Sequence, residues 1–231
     1  MQLSLREAAG YLNVSERTVR RWITTRGLPA HTAHERLHCN AIELWEWALE
    51  NGVAVSKSLL DRARRHPEEA PPALSSLLER GGCFQDVAER SKETVLRAIV
   101  QVMPLPADVD REFLATVLEA REALGSTGIG DGIAIPHVRN PIVLHVEEPF
   151  ISLFLLDHPI DFDAIDGRPV HALFVVVSSS IPSHLRILAQ IGFVLRDEVL
   201  RGLLRERAPF GAILERVRWL ESAGTTGRAG V

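Results

Sequence analysis

The chain has 231 residues, 46% hydrophobic and 24% charged, enough for two domains with ordinary cores. Its two cysteines, Cys39 and Cys83, build no disulfide framework and suit a cytoplasmic protein, and no apolar run approaches the roughly 18 residues that span a bilayer, so membrane insertion is not expected. The net charge of −4 is uneven: residues 1–65 hold ten basic and seven acidic side chains, leaving −7 for the remainder, a split compatible with nucleic acid at the first part and a protein partner at the second.

In chain order, Ser4-Leu5-Arg6-Glu7 fits a capping box, and Leu5, Ala8, Ala9 and Leu12 have the apolar spacing of a short helix. A turn follows at Asn13-Val14. Ser15 then caps a second helix over 16–24, with Val19, Trp22 and Ile23 facing inward and Arg17, Thr18, Arg20 and Arg21 outward. Gly27-Leu28-Pro29-Ala30 ends this unit, a β wing extends to about Asn40, and residues 41–50 form an amphipathic helix carrying Trp45 and Trp47. The wing holds His31, His34, His38 and Cys39, residue types that suit zinc, but their spacing matches no standard site and no metal is expected. No cofactor is expected elsewhere.

Leu3, Glu7 to Ala9, Tyr11, Leu12, Val14, Ser15, Thr18, Val19, Arg21, Trp22 and Ile23 follow the pattern L-x-x-x-E-A-A-x-Y-L-x-V-S-x-x-T-V-x-R-W-I. That pattern resembles the excisionase and MerR-like winged helix-turn-helix family. The resemblance implies a DNA partner, with the second helix in the major groove and Arg17, Thr18, Arg20 and Arg21 as its contacts. It also implies that a homodimer could supply two half-sites. The wing departs from the family, which places glycine and arginine where this chain has His31 to His38. A helix-turn-helix used only for packing or dimerisation is the plainer alternative.

Domain limits follow from composition: 1–52 for the helix-turn-helix, 53–72 for a linker rich in charge and proline, 73–222 for a second domain and 223–231 for a flexible tail. In the second domain helices are expected at about 73–80, 91–103, 109–124, 184–196, 197–206 and 210–220. Strands are expected at about 133–136, 150–156 and 170–177, where the runs from Phe150 and Val170 have buried-strand composition.

The stretch from Gly125 to Arg139 concentrates the chemistry. A glycine-rich loop with Ser126, Thr127, Gly128 and Gly130 offers backbone amides to an anion, His137 follows Pro136, and Arg139 can neutralise charge beside it. A neutral imidazole is a nucleophile, so these residues suit phosphoryl transfer to His137. A glycine hairpin with a histidine at its foot is the structural alternative.

Residues 121–139 reproduce R-x-x-x-G-S-T-G-x-G-x-G-I-A-I-P-H-x-R, and 159–170 follow P-I-D-F-x-A-x-D-G-x-P-V. Both resemble the enzyme IIA domains of the bacterial sugar phosphotransferase system, in the fructose, mannitol and nitrogen-regulatory class. The resemblance covers about residues 73–220 and implies an α/β fold, a mixed sheet flanked by helices. It makes His137 the phosphoryl acceptor, His184 the second active-site histidine and Arg121 the nearby cation. Ser183 is expected to cap the helix beginning near His184, placing that ring at a positive helix end. The implied partners are an HPr-like histidine-containing phosphocarrier and, if the chain serves sugar uptake, a IIB domain. Two functions stay open: a phosphorylation-dependent DNA-binding regulator, or a phosphocarrier whose first module is a scaffold.

Overall fold

A computed structural model of the chain describes residues 2–33, 36–53, 72–138 and 148–226. The polypeptide divides into two compact units, Met1–Ala70 and Pro71–Val231. Most of the expected linker, 54–71, lies outside the described residues.

In the first unit, β1 (Gln2–Ser4) leads directly into α1 (Leu5–Tyr11). Ser4 Oγ accepts the Glu7 amide at 3.2 Å while the Ser4 amide donates to Glu7 Oε2 at 2.9 Å, the reciprocal cap that the sequence predicts. Asn13, at φ +52°, reverses the chain, and Ser15 caps α2 (Glu16–Thr25). The wing is β2 (His31–Ala33) and β3 (Arg36–Asn40), which pair antiparallel. β1 completes the sheet in the order β1-β3-β2, an addition three residues too short to be read from sequence. α3 (Ala41–Glu50) closes the unit over a core that includes Leu3, Leu12, Val19, Leu44 and Trp45.

The second unit opens with α4 (Leu74–Gly81), which lies so close to the sheet that a Cβ on Gly81 would stand 2.0 Å from the Ile151 carbonyl oxygen. β4 (Cys83–Val87), α5 (Lys92–Val102), α6 (Arg111–Ala123), β5 (Gly128–Gly130) and β6 (Ile133–Ala134) follow. β7 (Phe150–Ile160), β8 (Val170–Val177), α7 (Ile181–Val194), α8 (Glu198–Arg205) and α9 (Phe210–Thr226) complete it. The five strands order as β4-β7-β8-β6-β5, with β4-β7 and β6-β8 parallel and β7-β8 and β5-β6 antiparallel. This is a mixed sheet flanked by helices, as expected. The central strands β7 and β8 are apolar because both their faces are covered, and Phe154, Phe162, Leu173, Leu96 and Ile99 pack in one cluster.

Several boundaries differ from the sequence reading. β6 ends at Ala134, although the chain keeps running beside β8, with the Val176 amide donating to the Pro136 carbonyl at 3.1 Å. α7 starts three residues earlier than expected, at Ile181, because Ser180 caps it: the Ser183 amide donates to Ser180 Oγ at 3.3 Å. Ser183 therefore lies inside the first turn and is not the cap. α9 continues to Thr226, through the start of the expected tail, while residues 227–231 lie outside the described residues. Among the described residues no helix is long and apolar enough to cross a membrane.

Candidate functional site

The site grows from the carboxyl end of α6. Arg121 is 5% exposed and folds back over its own helix end, where Nη1 donates to the Gly125 carbonyl at 2.8 Å. A cation at that end meets the negative pole of the helix. Glu122, equally buried, accepts the Thr127 amide at 3.0 Å and the Thr127 hydroxyl at 2.7 Å. Lys92 Nζ reaches it at 3.6 Å and Asp163 at 2.5 Å. Partial burial works against that ammonium, but the Asp163 bond and the Glu122 carboxylate outweigh it and raise the amine above its ordinary value. Neither Glu122 nor Lys92 carries a sequence signal of its own; adjacency to Arg121 is the one available clue to the carboxylate.

Sequence reasoning assigns the backbone amides around Ser126, Thr127, Gly128 and Gly130 to an anion; in the structure those of Thr127 and Gly128, and that of neighbouring Asp131, have internal partners. Glu122 takes the Thr127 amide, Ser126 Oγ takes that of Gly128 at 3.0 Å, and Asp166 Oδ2 takes that of Asp131 at 2.8 Å. Ser126 Oγ in turn donates to the Phe162 carbonyl. The glycines serve close packing. A Cβ on Gly128 would stand 2.7 Å from the Ala164 Cβ, one on Gly132 would stand 2.2 Å from the His171 ring, and Gly130 sits at φ +96°. β5 and β6 pair with each other and are tied to the 161–168 segment, whose carbonyl and carboxylate oxygens the sequence pattern does not place.

That pairing fixes His137. The Thr127 carbonyl accepts the Ile135 amide at 3.0 Å, and the Ile135 carbonyl lies 2.7 Å from His137 Nδ1. A carbonyl only accepts, so Nδ1 carries the proton and the lone pair of the neutral ring sits on Nε2. His137 also bridges Val176 in parallel register, which ties it to the central strand, and it is 3% exposed. His184, fully buried in the first turn of α7, stands beside it with ring centroids 5.0 Å apart and planes at 47°. Its Nδ1 is 3.0 Å from Ser178 Oγ. The two histidines that the sequence separates by 47 positions are thus neighbours. Arg139 lies outside the described residues.

In the first unit Arg17, Arg20 and Arg21 are exposed along α2. Thr18 is half-buried, and its hydroxyl lies 3.0 Å from Ser15 Oγ, which makes it part of the cap more than of the outer face. Arg26 is spoken for: its guanidinium lies over Trp22 and Trp47, at 5.5 and 5.4 Å from the ring centroids, and bonds Asn51. On the wing, His31 Nε2 meets Glu43 at 2.6 Å, and burial with the Glu43 charge pushes the Cys39 thiol up to about 11. His34 lies outside the described residues, and among those described no three histidine, cysteine or acidic side chains gather around one point.

Fold and site define a class: a helix-turn-helix module on one chain with an α/β domain that buries a pair of histidines at the end of its central strands. Residues 76–218 match the model of the phosphoenolpyruvate-dependent sugar phosphotransferase system, EIIA 2, and the chain belongs to that family. Residues 3–49 match a helix-turn-helix domain. A nitrogen regulatory protein of Pseudomonas aeruginosa is 39% identical over 136 residues, covering 57% of this chain and 86% of that protein. The fructose-specific EIIABC component of Bacillus subtilis is 28% identical over 145 residues, covering 62% of this chain but 22% of that longer protein. Among solved structures, the nitrogen regulatory protein IIA-Ntr of Neisseria meningitidis superposes with a TM-score of 0.52 at 24% identity, over 58% of this chain and 91% of that one, a likeness of fold.

Proposed function

We propose that the chain is a phosphotransferase-system regulator: His137 accepts a phosphoryl group from an HPr-like phosphocarrier, and its phosphorylation state governs how the helix-turn-helix binds DNA. The observation that carries the chemical half is the bond between His137 Nδ1–H and the Ile135 carbonyl, which leaves Nε2 as the nucleophile. An N–P bond forms at Nε2 as the donor's P–N bond breaks and its electron pair returns to the donor imidazole. The ring keeps its Nδ1 proton throughout, and the Ile135 carbonyl dipole faces the positive charge that the ring acquires. Arg121 and His184 stabilise the transferring group. The regulatory half rests on the fused helix-turn-helix and on the similarity to nitrogen regulatory proteins.

A second reading, a phosphocarrier that passes the group to a IIB domain, draws on the similarity to the fructose-specific component of Bacillus subtilis. One experiment separates them. The full-length protein, incubated with phosphorylated HPr, is expected to gain a single acid-labile phosphoryl mass that His137→Ala does not gain. Genomic DNA selected on the same protein with and without donor is expected to enrich different fragments, or the same ones to different extents. Undiminished labelling of His137→Ala removes the acceptor assignment. Labelling without enrichment in either state moves the protein to the phosphocarrier reading.

A further inference from the structure

The two buried histidines differ in what holds their Nδ1 atoms. His137 Nδ1 faces a carbonyl, which fixes its proton there. His184 Nδ1 faces the hydroxyl of Ser178, which can donate or accept. Ser178 directly follows β8 and is 1% exposed, and among the described residues its Oγ has no other hydrogen-bond partner. If His184 Nδ1 donated, the serine's own hydrogen would be buried without an acceptor, a costly arrangement. Donation by Ser178 to Nδ1 gives that hydrogen its acceptor, and it puts the proton of the neutral His184 ring on Nε2.

We propose that Ser178 is a positioning residue that locks His184 in the Nε2–H tautomer, so that neighbouring rings hold opposite tautomers: a lone pair at His137 Nε2 and a donor at His184 Nε2. The turn between β8 and α7 builds this in. Ser178 leaves the central strand, Ser180 caps the helix, and the His184 amide donates to the Ser180 carbonyl at 2.9 Å. With the ring centroids 5.0 Å apart, an N–H on the second ring is a donor for the oxygens of a phosphoryl group on the first, where the other tautomer has only a lone pair at that nitrogen. The catalytic consequence rests on the reading of His137 as phosphoryl acceptor; the tautomers themselves do not.

The test uses the full-length protein with 15N-labelled histidine, its ring nitrogens recorded by NMR at about pH 8, where an ordinary histidine is neutral. His137 is expected with its proton on Nδ1 and His184 with its proton on Nε2. In Ser178→Ala an Nδ1–H population of His184 is expected to appear while His137 stays unchanged, and phosphoryl transfer from phosphorylated HPr is expected to slow by roughly tenfold or more. Ser178→Thr keeps the hydroxyl and is expected to restore both readouts. A wild-type His184 protonated on Nδ1, or an unaltered tautomer in Ser178→Ala, overturns the proposal. So does a shifted tautomer with an unaltered transfer rate. If the wild-type tautomers are as expected but His137 takes no label, the functional reading fails and the serine's hold on His184 stands.

Discussion

Glu122 shows what a single buried carboxylate does here. It accepts two bonds from Thr127 and faces Lys92, and Thr127 passes that constraint through Ile135 to the His137 ring. Removing it strands a buried amide and a buried hydroxyl and leaves the largely covered Lys92 ammonium to Asp163 alone. Glu122→Ala is therefore expected to lower stability by about 3 kcal/mol, the range for breaking a buried charged network, as measured by urea unfolding. A loss below about 1 kcal/mol would show that Thr127 finds other partners. The sequence makes His137 and Arg121 legible because a long motif carries them, while His184 lies outside that motif and enters through the family resemblance alone. The same sequence leaves Glu122 and Ser178 illegible, since a glutamate near a helix end and a serine after a strand are ordinary until tertiary partners define them.

Among elements, the long apolar strands β7 and β8 and the capped helices were readable because their causes are local: burial on both faces, and Ser or Asp at helix starts. β1 and β4 were not. β1 depends on register with β3 some 36 residues later, and the half-buried Cys83-Phe84-Gln85-Asp86-Val87 run has no strand period. The far end of α9 is held from a distance, by Glu221 accepting from the Ser75 hydroxyl at 2.6 Å, which the weak helix formers Gly224, Thr225 and Thr226 do not advertise. The glycine strand pair is ambiguous in sequence for a related reason: glycine is required for anion cradles and for close packing alike. A packing role makes a definite claim about Gly128. A methyl there meets the Ala164 Cβ at 2.7 Å and its Cα at 2.9 Å, so Gly128→Ala is expected to cost about 1–3 kcal/mol in chemical unfolding. Ala164→Gly in the same chain is expected to recover part of that loss, a coupling of at least about 0.5 kcal/mol in a double-mutant cycle. Strictly additive effects would mean that the strain lies elsewhere.

At the scale of the whole molecule, charge decides where DNA could bind. The net charge is −4 and the acidic excess falls after residue 65, and among the described residues α2 exposes three arginines, Arg17, Arg20 and Arg21, as the expected source of affinity for a polyanion. Each phosphate neutralised by a cation releases counterions, and log K then falls with log salt by about 0.9 per contact. Arg20→Ala and Arg21→Ala in the full-length protein are each expected to weaken binding to a selected fragment and to flatten that slope by about one contact. Arg97→Ala is the matched control, because Arg97 is also exposed but lies on α5, engaged with Glu112 and Glu119 in the acidic unit. It is expected to leave slope and affinity unchanged. Fluorescence anisotropy across a salt series reads all three variants, and equal slopes for wild type, Arg20→Ala and Arg21→Ala would make α2 a packing helix, with the aromatic pair Trp22 and Trp47 as its purpose.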